Sequence, residues 1–412
     1  MEIMKHKMPR RPMGGPEKLF IVLDHFASKS FAIAAELEGI IPGGRLNEAI
    51  QAVQKRHPHL TARIQVDQNL TYWFDFSNET AIEVEERHDY LPSEWGRFLE
   101  DVLSIPLDVS LNPLFRVFIL GSGERTTLIL VAHHSIGDGQ SLLIIYQDIL
   151  AYLSGDTLPT LAPSKSIDEL LGLENRLLLE DTPLAIGHLS SRESQGVANH
   201  AIRIDSLQLD HLDTSKIILA SRQNGVTVNG LLNAALCLAI TEINQKKSFE
   251  PLSLRSPASV RNTLDVKNNF GLYIVTKLTT VVPSHSKNIW NLAKWVNSDL
   301  QGINSFSSIV ENIKRYRQIL LRPFVFNKFL DMFRSSPKID LMLTNLGNIE
   351  LNTRHSGIKV KALWGPMVLS GDGSEQTVGA ITINGNLHLT NTSIMVCDRL
   401  LHRACDIIFD AI

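Results

Sequence analysis

The chain is poor in the features that would place it in several large classes. Cysteine occurs three times in 412 residues, at Cys237, Cys397 and Cys405, with no C-x-x-C pair. That argues against a disulfide framework and for buried thiols in a reducing compartment. Charge of one sign is lacking too: 40 Lys and Arg stand against 43 Asp and Glu, a net charge of −3. With no basic stripe, there is no electrostatic case for nucleic acid. Long apolar runs are absent, and a stretch such as Leu231 to Ile240 falls far short of the roughly 20 residues that span a bilayer. Lys5, Lys7, Arg10 and Arg11 could open a signal peptide, but Pro9, Pro12 and two glycines stand where its apolar core belongs. The default is a cytoplasmic enzyme or binding protein. No Gly-x-Ser-x-Gly elbow is present either, which removes the commonest motif for a serine nucleophile.

What is there is the composition of a folded protein, 44% hydrophobic and 20% charged, at a length that predicts two or three domains. Residues 1–15 read as a flexible arm. Leu19 to Asp24 is a strand or the entry to a helix. Phe31 to Glu38 alternates as a strand, and Leu46, Ala49, Ile50 and Val53 repeat at helical spacing until Arg56-His57-Pro58 ends the helix. Ala62–Val66 with Thr71–Asp75, and Leu114–Leu120 with Leu128–Val131, read as strand pairs, the second joined by a Gly121-Ser-Gly123 turn. A linker follows at 159–199, with one helix predicted from Ile167 to Leu179. The second half, 200–412, opens with a strand at 201–205. It continues with helices near 208–222 and 228–245, the latter capped by Thr227. Strands are predicted at 252–260, 269–282 and 339–344, helices at 287–301 and 306–319, an Asn384-Gly385 hairpin, and a last helix at 399–409. Interspersed strands and helices with several hairpins predict an α/β (α+β) chain of mixed sheets with helices on one face.

The chemistry concentrates in one stretch. Seven aliphatic and β-branched residues up to Ala132 lead into His133-His134-Ser-Ile-Gly-Asp138-Gly139, then into a helix running to about Leu153. At a strand end the two imidazoles point to opposite faces, so only one can line a given cavity. A histidine there suits general-base work near neutral pH. Asp138, between two glycines, can cap the helix or hold an ion pair. The plainer reading is two hydrogen-bonded structural histidines and a capping aspartate. A metal site is not expected, because Gly137 and Gly139 oppose the helix that would put His134 and Asp138 on one face. A base acting on the substrate's own nucleophile fits better than an acyl-enzyme.

His133-His134-x-x-x-Asp138-Gly139 resembles the His-His-x-x-x-Asp-Gly motif of the condensation-domain acyltransferase superfamily. That group includes nonribosomal peptide-synthetase condensation domains, polyketide-associated acyltransferases and plant-type alcohol acyltransferases. Further segments resemble the family in its order. They are Arg56-His57-Pro58-His59-Leu60, Pro106-Leu-Asp108 with Asn112 to Val117, and Thr227 to Ala235. Ser256-Pro257 to Arg261, Asn269-Phe270-Gly271, Thr344-Asn345-Leu-Gly347 and Asn384-Gly385 complete the series. The Asp-Phe-Gly-Trp-Gly motif of the plant-type enzymes is absent, and Trp364-Gly365-Pro366 is a faint echo of it.

The resemblance implies two chloramphenicol-acetyltransferase-like halves, 16–158 and 200–412, forming a pseudo-dimer with a central tunnel. It implies a monomer in the cytoplasm with no bound cofactor, using acyl-CoA or a phosphopantetheinyl carrier protein as co-substrate. His134 would be the base, with His133, Asp138 and Gly139 framing it and Arg261 pairing with Asp138. Oxyanion donors would come from backbone amides near Gly139 or from the Thr344-Asn345 turn. Asn345 is read equally well as a turn residue in the left-handed conformation. With no adenylation or carrier segment in sight, the expectation is a free-standing enzyme of natural-product or lipid biosynthesis that forms an ester, with an amide as the close variant. A non-catalytic module that docks a carrier protein is the alternative of a different class.

Overall fold

A computed structural model describes residues 10–24, 27–68, 71–77, 80–105, 107, 109, 113–173, 201–244, 250–282, 288–321, 338–351, 357–369, 375–395 and 397–412. Most of the expected linker lies outside these, as do residues 1–9 of the expected arm.

The first large sheet is built on β7 (Arg125–His133), flanked antiparallel by β2 (Ser30–Glu38) and β6 (Phe115–Ser122). Alternation along β7 sends Leu128, Leu130 and Ala132 to one face and Ile129 and Val131 to the other. The first face is covered by α2 (Arg45–Arg56) and α4 (Gly139–Leu153). Leu142, Ile145, Tyr146 and Ile149 of α4 recur at the spacing that aligns one helical stripe, and all are buried. The second face is covered by α3 (Trp95–Ser104), through Phe98, Leu99 and Leu103. Helices therefore lie on both faces of this sheet, not one. β5 (Val84–Arg87) adds a parallel edge beside β6.

The second sheet has the order β10-β9-β11-β13-β14-β8 and mixes parallel and antiparallel pairs. Its strands are β8 (Arg203–Leu209), β9 (Leu252–Ser259), β10 (Ile274–Val281), β11 (Leu341–Ile349), β13 (Gln376–Ile383) and β14 (Asn386–Ser393). The β13–β14 hairpin turns on Asn384 and Gly385, both at positive φ. α7 (Val228–Ile243) and the final helix α10 (Leu400–Phe409) pack on the outer face. Thr227 caps α7, its Oγ1 accepting the Gly230 amide at 3.0 Å. No single helix among the described residues is long and apolar enough to cross a membrane.

The halves are not separate in sequence. β12 (Lys359–Met367), from the second half, pairs antiparallel with β2 and becomes an edge of the first sheet. Where it passes the second sheet, backbone meets backbone: a Cβ on Gly379 would lie 2.5 Å from the Pro366 carbonyl oxygen. Glycine at 379 is what allows that approach. At the other end of the chain, Arg10–Pro12 is strand β1, paired with β4 (Tyr72–Asp75), and α1 (Gly15–Leu23) follows directly. Residues 10–15 are therefore ordered, in contrast to the expected arm. Arg11 explains why: its guanidinium makes a buried two-pronged contact with Glu17, at 2.7 and 2.9 Å.

Candidate active site

β7 ends at His133, and neighbours on both sides fix the backbone there. The His133 amide donates to the Leu114 carbonyl at 2.8 Å, and the His134 amide to the Lys29 carbonyl at 2.9 Å. The two rings then diverge, as the strand period requires. His133 is fully buried, and its Nδ1 accepts the Ser135 amide at 3.1 Å. That places its proton on Nε2, which faces Asp24 Oδ1 at 3.6 Å. His133 is thus held in place behind the turn.

The His134 ring is sandwiched between Phe20 of α1 and Phe31 of β2, with centroid separations of 4.4 Å on both faces. Its Nδ1 donates to the Gly137 carbonyl at 3.0 Å. This bond consumes the Nδ1 proton and leaves Nε2 as an unprotonated lone pair. Burial pushes the ring's pKa down to about 4, and the neighbouring His133 and Lys29 act in the same direction. The Asp138 carboxylate and the Gly137 bond oppose it. Desolvation wins, so the ring is neutral across the physiological range.

Asp138 both caps and pairs. Its Oδ1 accepts the Ser141 amide at 2.9 Å, at the start of α4, and the Arg261 Nη2 at 2.7 Å. Its Oδ2 accepts the Tyr273 amide at 2.9 Å. Arg261 in turn donates to Ser141 Oγ at 2.8 Å and to the Gly271 carbonyl at 3.0 Å, and it also bonds the Asn269 carbonyl. Both charges are nearly closed to solvent, so each needs the other and these further bonds. The network also corrects the expected strand 269–282, which begins only at Ile274. The Asn269 and Gly271 carbonyls and the Gly271 and Tyr273 amides bond to Arg261, Ser141 and Asp138, and only the Tyr273 carbonyl continues the pairing, accepting the Val260 amide at 2.9 Å.

Gly139 is a second place where α4 meets the second half. A Cβ there would sit 2.9 Å from Pro366 Cγ and 3.0 Å from Leu346 Cδ2. Leu346 follows Thr344 and Asn345 in β11, so the structure brings that segment to the start of α4. Two expectations change here. The strand does not end at Thr344 but runs to Ile349 through a register shift after Asn345. The left-handed residue is Gly347, at φ +80°, not Asn345. Asn345 instead accepts the Gly347 amide on its Oδ1 at 2.8 Å.

Arg56 and His57 lie outside this cluster: both bond Asp148 Oδ2, at 2.8 and 2.6 Å, and tie α2 to α4. Sequence reasoning missed Ser141, Tyr273, Phe20, Phe31 and Lys29. Ser141 had a signal, since Asp-x-x-Ser spacing puts its amide at the capping aspartate. The aromatic sandwich had none, because it forms only when α1 folds over β2. Among the described residues, no group of three His, Cys, Asp or Glu side chains gathers as metal ligands would.

Residues 24–165, the stretch carrying this turn, match the family model described as Condensation domain. Bacitracin synthase 2 of Bacillus licheniformis is 23% identical over 291 residues, a stretch that is 64% of this chain and 11% of that protein. Polyketide synthase associated protein 5 from Mycobacterium tuberculosis superposes with a TM-score of 0.64 at 15% identity, covering 97% of each chain. The first condensation domain of the calcium-dependent antibiotic synthetase superposes with a TM-score of 0.68 at 13% identity, covering 98% of this chain and 97% of the other. The fold is thus that of condensation domains, with two chloramphenicol-acetyltransferase-like halves. In the sequence around His134 and in architecture over nearly its whole length, the family this chain resembles is the condensation-domain superfamily.

Proposed function

We propose that the chain moves an acyl group from a thioester, carried by acyl-CoA or a phosphopantetheinyl carrier protein, to a hydroxyl acceptor. The observation that carries the reading is the tautomer of His134. With Nδ1–H bonded to Gly137, Nε2 is a lone pair held in one direction by two aromatic faces. As the acceptor oxygen attacks the thioester carbonyl, Nε2 takes its proton, and the imidazolium returns it to the departing thiolate. A base of pKa about 4 is weak for this task by itself. The weakness comes mainly from desolvation, which penalises a lone imidazolium. An imidazolium beside a newly formed oxyanion is a compensated pair, so basicity rises where the reaction needs it. Backbone amides at Gly139 and the Thr344–Asn345 segment that Leu346 brings against α4 are the proposed oxyanion donors.

An amine acceptor uses the same base and geometry, giving an amide. The peptide-synthetase relative favours that variant. The test is a panel of acyl-CoA and acyl-carrier thioesters against alcohols and amines, read by mass spectrometry, with His134→Ala run alongside. The expected outcome is ester formation that His134→Ala abolishes while its melting curve stays close to wild type. Products formed at the wild-type rate by His134→Ala would refute the role of His134, and amide products alone would correct the acceptor.

A further inference from the structure

Lys29 is fully buried although it carries an ammonium group. Burying such a charge is unfavourable by several kcal/mol unless acceptors hold it, so an apolar residue would pack here more stably. Its surroundings show what the lysine connects. The Nζ donates to the Leu369 carbonyl at 3.1 Å, just beyond the end of β12. The Lys29 carbonyl accepts the His134 amide at 2.9 Å. The Lys29 amide donates to Asp24 Oδ1 at 2.7 Å, the same oxygen that faces His133 Nε2. One residue therefore joins the crossing strand, the backbone of His134 and the carboxylate behind His133.

We propose that Lys29 is a positioning residue for His134, holding the backbone of the His133–His134 turn against the strand that crosses from the second half. The geometry stands by itself, while its catalytic consequence rests on the function proposed above. The charge acts in the same direction as the geometry. The charged and titratable groups that act on the His134 ring are Asp138, which favours its protonation, and His133 and Lys29, which oppose it. Phe20 and Phe31 close its two faces. The ammonium helps keep Nε2 free of a proton.

The test uses the full chain and needs no substrate. The His134 ring is followed by NMR from pH 8 to pH 5 in wild type, Lys29→Met and Lys29→Arg, and exchange of the His134 amide is measured at pH 7. The His134 signal is assigned by its loss in His134→Gln. In wild type the ring shift is expected to stay nearly flat. In Lys29→Met the ring is expected to stay nearly flat, because burial dominates its state, while its amide exchanges about tenfold faster. Lys29→Arg, which keeps a cationic donor, is expected to restore the amide's protection. An unchanged amide in Lys29→Met would overturn the proposal, whatever its melting temperature. If Lys29→Met does not fold, Lys29→Gln keeps a donor for Leu369 without the charge. Its amide is then expected to stay protected, and a tenfold faster exchange despite the kept donor overturns the proposal. None of these readouts uses turnover, so the acyl-transfer assay of His134→Ala decides the proposed function separately.

Discussion

Asp138 and Arg261 stand 123 positions apart in the chain, and their carboxylate and guanidinium meet at 2.7 Å with both side chains almost closed to solvent. The pair ties the first turn of α4 to the loop before β10, so it joins one half of the molecule to the other behind the His134 turn. Removing one partner leaves the other buried and unpaired, which destabilises by about 3–5 kcal/mol. Asp138→Asn is therefore expected to lower the urea midpoint steeply. Turnover per folded molecule should stay within a few-fold of wild type, because Asp138 directs its oxygens at Arg261, Ser141 and Tyr273. Asp138→Asn combined with Arg261→Met should lose less than the sum of the single changes. Wild-type stability with lost turnover in Asp138→Asn would instead put Asp138 in the chemistry.

Direct transfer makes a mass prediction. His134 is the group with a free lone pair in the turn, while Ser135 is buried and its hydroxyl lies 2.8 Å from His133 Nδ1. Among the described residues, no hydroxyl or thiol hydrogen-bonds to His134 Nε2. Incubated with an acyl thioester and no acceptor, the protein is expected to keep its intact mass. A stable acyl adduct would replace general-base transfer with a two-step route.

Acid should unfold the chain through its buried histidines. Burial pushes His134 and His388 down to about 4, and burial followed by the Arg11 charge pushes His59 well below its usual range. In the unfolded chain all three titrate near 6.5, so between pH 6.5 and about 4 the unfolded state binds more protons than the native state. Stability then rises with pH across that window and falls on acidification, by up to ~1.4 kcal/mol per pH unit for each group. The urea midpoint is expected to be level from pH 8 to 7 and to drop clearly by pH 5. His388→Gln should flatten part of that drop. A midpoint that does not change from pH 7 to 5 would show that these rings are not held neutral by the fold.

How much of this could be read in the chain follows from where the information is local. The strand, the divergent histidines and the capping aspartate are set by neighbours in sequence, so periodicity and turn chemistry found them. Arg261 became a candidate partner through the Ser256-Pro257 to Arg261 segment and its resemblance, not through spacing. The strand predicted over 269–282 is too long because a pattern of apolar residues cannot show that the Gly271 and Tyr273 amides donate to Ser141 and Asp138. β12 stayed hidden because Gly365-Pro366 reads as a breaker inside a strand. It is tolerated at an edge of the first sheet, at an irregularity in the pairing with β2. α3 was legible but overlooked: Trp95, Phe98, Leu99 and Leu103 carry helical spacing.

The crossing of β12 yields the sharpest stability contrast. At Gly379 a Cβ would meet the Pro366 carbonyl oxygen at 2.5 Å and the Gly365 carbonyl carbon at 2.6 Å, both backbone atoms of the crossing strand. Backbone in two paired strands cannot yield by a rotamer change, so Gly379→Ala must push the sheets apart where one half enters the other. Overpacking of that kind typically costs about 1–3 kcal/mol and can exceed it when backbone is displaced. Gly43→Ala is the control, because nothing lies within 4 Å of its Cβ position. Thermal melts should show Gly379→Ala several degrees below wild type and Gly43→Ala unchanged or slightly higher, since alanine restricts the unfolded chain more than glycine does. Equal melting temperatures for the two variants would mean that β12 does not pass Gly379 at backbone contact.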